Sequence, residues 1–290
     1  MQRSTFNLQP SNLQTESGAS GHTMNVISLG WGIQSFTIAA MVAVGELEPV
    51  DVALHADTTH ERRDTYTFAQ RWTPWLEQRG VRVVTVGDPT QASTVRSAAT
   101  GIPGFPVTHP LPGGGKRVMI PAYTATERGG MLRRQCTRQW KVVPMRRWLR
   151  VNRNGQRVDQ WLGISLDEVQ RMRDSDVKYI SHRYPLVDLR MTRHDCVRWL
   201  ERHGLEVPPK SACVFCPFHD MAAWRELKQR GGEDWYQAVE VDETIRHARP
   251  PYSLFVHPAR IPLVNVDLRT PEDRGQLSLW DTECAGVCGV

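Results

Sequence analysis

Cys213 and Cys216 form a C-x-x-C pair, followed at once by Pro217, Phe218 and His219. Two thiols at that spacing can meet at one centre, which suits zinc or an iron–sulfur cluster. Cys136 is a third thiolate candidate if the fold brings it near. Two further cysteines, Cys284 and Cys288, sit in the last seven residues. A thiol near other thiols at a chain end suits sulfur transfer or disulfide exchange. The bland alternative is a flexible end whose cysteines do nothing. Cys196 lies in an amphipathic segment and reads as a core residue. With six cysteines in a chain expected to be cytoplasmic, metal, cluster or redox chemistry is favoured over a disulfide framework.

A second centre of chemistry is Ser28-Leu29-Gly30-Trp31-Gly32-Ile33-Gln34-Ser35. It follows an apolar strand and opens a helix. Glycines there let the backbone approach a ligand, and free N–H groups at a helix start favour an anion. Ser28 and Ser35 add hydroxyls. The turn has neither the Gly-Lys-Ser/Thr ending of a P-loop nor a Rossmann fingerprint. A plain strand-to-helix turn is the alternative. The next strand ends at His55-Ala56-Asp57-Thr58-Thr59-His60-Glu61. Asp57 thus sits at the carboxyl end of a parallel strand, where open α/β sheets bind ligands. An N-cap role for Asp57 is the structural alternative.

These residues need a scaffold, and the periodicity supplies one. Strands are expected at 25–29, 49–56, 81–86 and 159–163. Helices are expected at 33–44, at 61–79 with Phe68, Trp72 and Leu76 on one face, from Thr137 to about Arg150, and from Thr192 with Asp195 placed as in a capping box. The alternation predicts an α/β fold: an open, mostly parallel twisted sheet with helices on both faces. Three regions are expected: a disordered tail over 1–23, a main domain over 24–235, and a C-terminal extension over 236–290 carrying the cysteine tail. The Gly- and Pro-rich stretch 88–130 reads as a long excursion over the active face. No stretch approaches a membrane span, and the start lacks the pattern of a secretion signal. A cytoplasmic location without membrane attachment is therefore expected.

The formal charge is +5, with 36 basic against 31 acidic residues. Arg133, Arg134, Arg138, Lys141, Arg146, Arg147, Arg150, Arg153 and Arg157 crowd one stretch. Such a cluster attracts phosphate, sulfate or nucleic acid, although a solvated helix face explains most of it.

The order of these motifs resembles the phosphoadenosine phosphosulfate (PAPS) reductase family of the PP-loop, adenine nucleotide alpha-hydrolase superfamily, in particular its phage- or prophage-type members. Gly30, Gly32, Gln34 and Ser35 are in register with the Ser-Gly-Gly-x-Asp-Ser loop; Gly30 stands for its first Ser and Gln34 for its Asp. Arg134, Cys136, Lys141 and Pro144 are similar to an Arg-x-Cys-x-x-x-x-Lys-x-x-Pro segment. Gly163-Ile164-Ser165 with Glu168 and Arg171 is similar to a Gly-Ile-Arg-x-x-Glu-Ser-x-x-Arg segment, with Ser165 in place of the Arg. Tyr184-Pro185-Leu186 also has its counterpart, and Glu283-Cys284 is similar to a Glu-Cys-Gly tail.

The resemblance implies a bound adenine nucleotide, ATP or PAPS, held by Ser28, Gly30, Gly32, Gln34, Ser35, Asp57, Gly163, Arg171 and Arg173. It implies catalytic roles for Cys136, Lys141 and Cys284. It implies a 4Fe–4S cluster on Cys136, Cys213 and Cys216, with zinc on these and His219 as the alternative. The reaction would be sulfonucleotide reduction or ATP-dependent thiolation. A thiol or sulfur-donor protein and nucleic acid are the further partners it allows. The competing reading, from another class, is a non-catalytic nucleotide- or nucleic-acid-binding module.

Overall fold

The computed structural model describes residues 23–87, 106–112, 114–270 and 272–274. Five parallel strands form the main sheet: β1 (Met24–Ser28), β2 (Val52–Ala56), β3 (Val83–Val86), β7 (Val158–Trp161) and β8 (Ile180–Arg183). Their spatial order is β3-β2-β1-β7-β8. The chain runs outward from β1 to β3, then returns to the other side of β1. The switch point therefore lies between β1 and β7, and ligands enter open α/β sheets at the carboxyl ends of such a pair.

Alternate residues on each strand face opposite layers, so each face needs its own apolar cover. On one face Ile27, Ala53 and Trp161 pack against helices α1 (Ile33–Ala43), α2 (Arg63–Glu77) and α5 (Arg193–Arg202), joined by Leu186 of the short α4 (Pro185–Asp188). On the other, Val26, Val52, Leu54 and Val158 pack against Met145 and Leu149 of α3 (Val143–Asn152). The expected α/β fold with helices on both faces is the observed one. Ile33 to Met41 are buried without interruption, because α1 lies between the sheet and α5 and its polar Gln34, Ser35 and Thr37 are all hydrogen-bonded. In α2, Phe68 and Leu76 are buried and Trp72 is partly covered, as the spacing predicts. The capping box at Thr192 and Asp195 opens α5 as expected.

Differences of detail have local causes. The helix expected from Glu61 begins at Arg63, because Glu61 and Arg62 are held by another segment. The second strand starts at Val52 rather than residue 49. The helix expected from Thr137 opens as a π-helix (Thr137–Val142) before α3. The fifth strand, β8, has no counterpart among the expected strands; Ile180-Ser-His-Arg is short and mostly polar. The described part of the 88–130 excursion is structured: β4 (Thr108–Pro110) and β5 (Lys116–Val118) form a hairpin, and β6 (Tyr123–Thr124) pairs with β9 (Leu254–Phe255). Residues 1–22, 88–105 and 275–290 lie outside the described residues, and with them Cys284, Cys288 and nearly all of the expected tail 1–23.

A second core gathers Val118, Ile120, Trp140, Phe215, Trp224 of α6 (Met221–Arg230), Val241 and Ile245 of α7 (Gly232–Arg246), and Leu263. Its helix α7 passes residues 235 and 236 without a break. Asp242 secures it. Its fully buried carboxylate accepts the backbone N–H groups of Val256 (3.0 Å) and Leu263 (3.1 Å) and pairs with Arg246. Removing one partner from such a set strands buried polar groups. Asp242→Ala is expected to lower stability by about 3–5 kcal/mol, read from the denaturant midpoint; a change within the range of a surface substitution would show that these bonds add little.

Candidate active site

The turn after β1 is held in shape from both sides. Trp31 has a left-handed backbone (φ 55°), which a bulky residue adopts only when its surroundings compensate. Its indole is buried against Phe36, His55 and Phe68. His55 Nδ1–H donates to the Leu29 carbonyl at 2.9 Å, and burial holds the ring below the usual histidine pKa, so it is neutral. The Ser35 hydroxyl accepts from the Gly30 N–H (3.1 Å) and donates to the Gly32 carbonyl (3.2 Å).

The turn at the end of β7 closes on this one. A Cβ on Gly163 would stand 2.8 Å from Ser35 N and 3.0 Å from its Cα, so only glycine permits the approach. Gln34 Nε2 donates to Glu168 (3.2 Å) and Ser165 Oγ (3.4 Å), and Arg193 donates to Gln34 Oε1 (3.0 Å). Arg171 bonds the same Glu168 at 2.6 Å and so joins the turn through it. Arg173 instead bonds the carbonyls of Gln170 and Met172. Ser28 accepts from Gln160 at 2.8 Å.

Asp57 is fully buried, and its carboxylate accepts from the Thr59 N–H (2.7 Å) and the Tyr66 hydroxyl (2.8 Å). Burial first, and then the Asp57 charge, push the Tyr66 pKa far up, so this phenol stays a donor. Asp57 shapes the 57–59 turn and does not cap α2, whose N-cap is Arg62.

The cysteine motif docks onto this same segment. Cys213 and Glu61 form an antiparallel bridge, the Val214 N–H donates to the His60 carbonyl (2.8 Å), and the Arg62 N–H donates to Ala212 (3.3 Å). The Arg62 guanidinium forms a two-pronged pair with Glu226 of α6 at 3.1 and 3.2 Å. Beside the bridge lies a cavity of about 110 Å³ whose lining includes Cys136, Cys213, Cys216, Lys141, Arg134 and Phe218. The structure thus brings the three predicted thiols and the predicted lysine to one place.

Two residues outside the predicted set join the two centres. Glu61 is buried, and its Oε1 pairs with Lys141 Nζ at 2.9 Å. Burial alone would raise the Glu61 pKa, but the Lys141 charge and hydrogen bond outweigh it and hold the carboxyl below its usual range. The Glu61 charge in turn raises Lys141, which stays an ammonium. The Ser211 hydroxyl faces both the Gly30 carbonyl (2.7 Å) and Glu61 Oε2 (3.3 Å). The signals were present but faint: Glu61 lies within the polar run after β2, and Ser211 precedes the C-x-x-C pair by two residues.

Burial pushes the Cys213 and Cys216 thiols up, so without a further positive charge they are protonated at neutral pH. Thr58 Oγ1 lies 3.4 Å from Cys213 Sγ. His219 bonds the Cys213 carbonyl through Nε2 at 3.0 Å, which leaves only Nδ1 for any other ligand. Among the described residues no three His, Cys, Asp or Glu side chains are arranged to hold a metal ion. The donor types suit a metal, but in this arrangement they do not close on one point. No helix among the described residues is long and apolar enough to cross a membrane.

No protein-family model matches the chain. No curated protein matches it. Among solved structures it is similar to a PAPS reductase from Candida auris in complex with phosphate, with 11% identity, 64% of this chain and 76% of that chain covered, and a TM-score of 0.40.

Two outcomes test this geometry. Glu61 contributes stability above the ordinary carboxylate pKa, and the contribution is lost as pH falls through its depressed value. Glu61→Gln should therefore melt below the parent at pH 7, and the gap should close only as pH falls below the usual glutamate range; a constant gap would refute the ion-pair account. Gly163→Ala forces backbone apart and is expected to cost about 1–3 kcal/mol, measured by denaturant unfolding; an unchanged midpoint would show that the two turns can separate freely.

Proposed function

We propose that the chain is an enzyme that binds an adenine nucleotide at the Gly30–Ser35 turn and carries out cysteine-centred sulfur chemistry in the adjoining cavity. The observation that carries this reading is Ser211, whose hydroxyl touches both the turn and the Glu61–Lys141 pair. A phosphate placed on the turn would lie beside a fixed ammonium and three thiols. Gly30, Gly32 and Ser35, with Ser28 and Gln34 nearby, would hold the phosphates. Asp57 and Gly163 would shape the crevice, and Arg171 and Arg173 would lie at its outer edge. Lys141 would neutralise charge on the leaving phosphate oxygen.

Two reactions fit. With adenylyl sulfate or PAPS, a thiolate of Cys136 or Cys284 would attack the sulfonyl sulfur. An S–S bond forms, the S–O bond breaks, and its electron pair leaves on the nucleotide phosphate. A second thiolate then releases sulfite and closes a disulfide, which a thiol-donor protein reduces. With ATP, an acceptor oxygen would attack the α-phosphorus and expel pyrophosphate, and a sulfur donor would then displace AMP.

The shared cavity also supports a metal-bearing form of the same reading. Cys136, Cys213 and Cys216 would hold an iron–sulfur cluster, or zinc with His219 as a fourth ligand. A bound cation would favour the thiolate forms that burial disfavours. The non-catalytic binding module is the competing class.

Calorimetric titration with ATP, adenylyl sulfate and PAPS in parallel separates these readings. Preference for ATP supports thiolation, preference for a sulfonucleotide supports reduction, and no binding by any of them overturns the proposal. Cys136→Ser, Cys213→Ser and Cys216→Ser should each abolish turnover and leave nucleotide affinity within about threefold, a margin of under 1 kcal/mol. Full activity of all three would leave the binding module standing. Iron and zinc content of the anaerobically purified parent, absent from the same three variants, would establish the metal-bearing form.

A further inference from the structure

A groove of about 590 Å³ lies beside the thiol cavity, lined by Lys116, Arg117, Arg133 and Arg249 together with Gln135 and apolar side chains. Lys116 and Arg117 come from β5, Arg133 from the irregular segment before the π-helix, and Arg249 from the turn after α7. All four are exposed, and none forms an ion pair or side-chain hydrogen bond with a described residue. No acidic side chain among the described residues lines the groove. Several arginines elsewhere are neutralised: Arg146 pairs with Asp176, Arg183 with Glu48 and Arg230 with Asp64. Four cations without an acidic partner among the described residues, from three separate segments on one concave surface, attract a polyanion.

The wall between groove and cavity is a single strand of chain. Along 133–136 the residues alternate: Arg133 and Gln135 line the groove, and Arg134 and Cys136 line the cavity. Phe218 lies at the cavity with its side chain about half exposed, and the Arg134 guanidinium sits over its ring at 5.4 Å. A basic track with an exposed aromatic face beside it is how proteins hold single-stranded nucleic acid: phosphates follow the cations and a base stacks on the ring.

We propose that this groove binds single-stranded nucleic acid and presents one base to the thiol cavity. The inference rests on the proposed function for what happens in the cavity, and on the groove alone for binding. A duplex keeps its bases stacked and out of reach of a side cavity, so the strand must be unpaired there. An acidic polypeptide would satisfy the cations but has no flat base for the Phe218 and Arg134 pair. The nucleic acid would be the acceptor in the ATP-dependent form of the reaction.

The test is fluorescence anisotropy of the full chain with a labelled 15-residue oligothymidylate, repeated over a salt series. Competitors are the matching duplex and polyglutamate. The expected result is that Arg117→Ala with Arg249→Ala weakens binding about tenfold or more at 0.1 M salt and lowers the log–log salt slope by about 0.7 for each phosphate no longer neutralised. Phe218→Ala should weaken binding with the slope unchanged, because stacking releases no counterions. ATP and sulfonucleotide affinity should not move in the arginine variants. Parental binding by the arginine double variant overturns the groove assignment, and equal competition by polyglutamate transfers it to an acidic protein. If oligonucleotide binding behaves as expected while no adenine nucleotide binds, the groove stands and the enzyme reading falls. Nucleotide binding without any oligonucleotide binding has the opposite meaning.

Discussion

A carboxylate removed from water has to be compensated, and Glu61 is where this fold meets that demand. Its charge is matched by Lys141 from the π-helix and approached by the hydroxyls of Ser211 and Thr58. Each of those partners belongs to a different stretch of chain. Satisfying one buried group therefore fixes the π-helix, the segment before the C-x-x-C pair and the end of β2 relative to one another. The backbone ladder between residues 60–62 and 212–214 repeats the same docking in main-chain bonds. Without it the three thiols would have no common cavity, since Cys136 and Cys213 are far apart in sequence.

The second constraint is steric. At the switch point, the end of β7 passes so close to the start of α1 that position 163 has no room for a side chain. The contact keeps the two turns at the strand ends in register and leaves the helix start of α1 beside the crevice. Trp31 contributes from the other side: burying its indole stabilises a backbone conformation that tryptophan alone would avoid. The turn after β1 is thus held in shape by packing from both sides.

Much of this is legible in the sequence where one signal dominates. The predominantly apolar stretch of α1, the Phe68 and Leu76 spacing of α2 and the Thr192 and Asp195 cap each state their structure locally. The parallel sheet follows from their alternation. What is not legible depends on distance. Glu61 reads as a helix residue until the 212–214 segment is known to bind it. Ser211 is an ordinary serine until two acceptors converge on it. β8 has a polar sequence because partners on the sheet, not its own pattern, make it a strand. The arginine-rich stretch looks like one surface in the sequence, but the fold divides it: Arg133 faces a groove, Arg134 a cavity, and Arg146 an aspartate.

The start of α1 and the turn after β7 also meet through side chains. Gln34 and Ser165 touch in the folded chain. Both are buried and uncharged, so the contact joins the two turns without leaving a charge to compensate. Arg193, from the first turn of α5, reaches the Gln34 carbonyl oxygen, and Glu168 accepts from its amide. A cation and an anion thus meet on one amide, which ties α5 and the 165–168 segment to the start of α1.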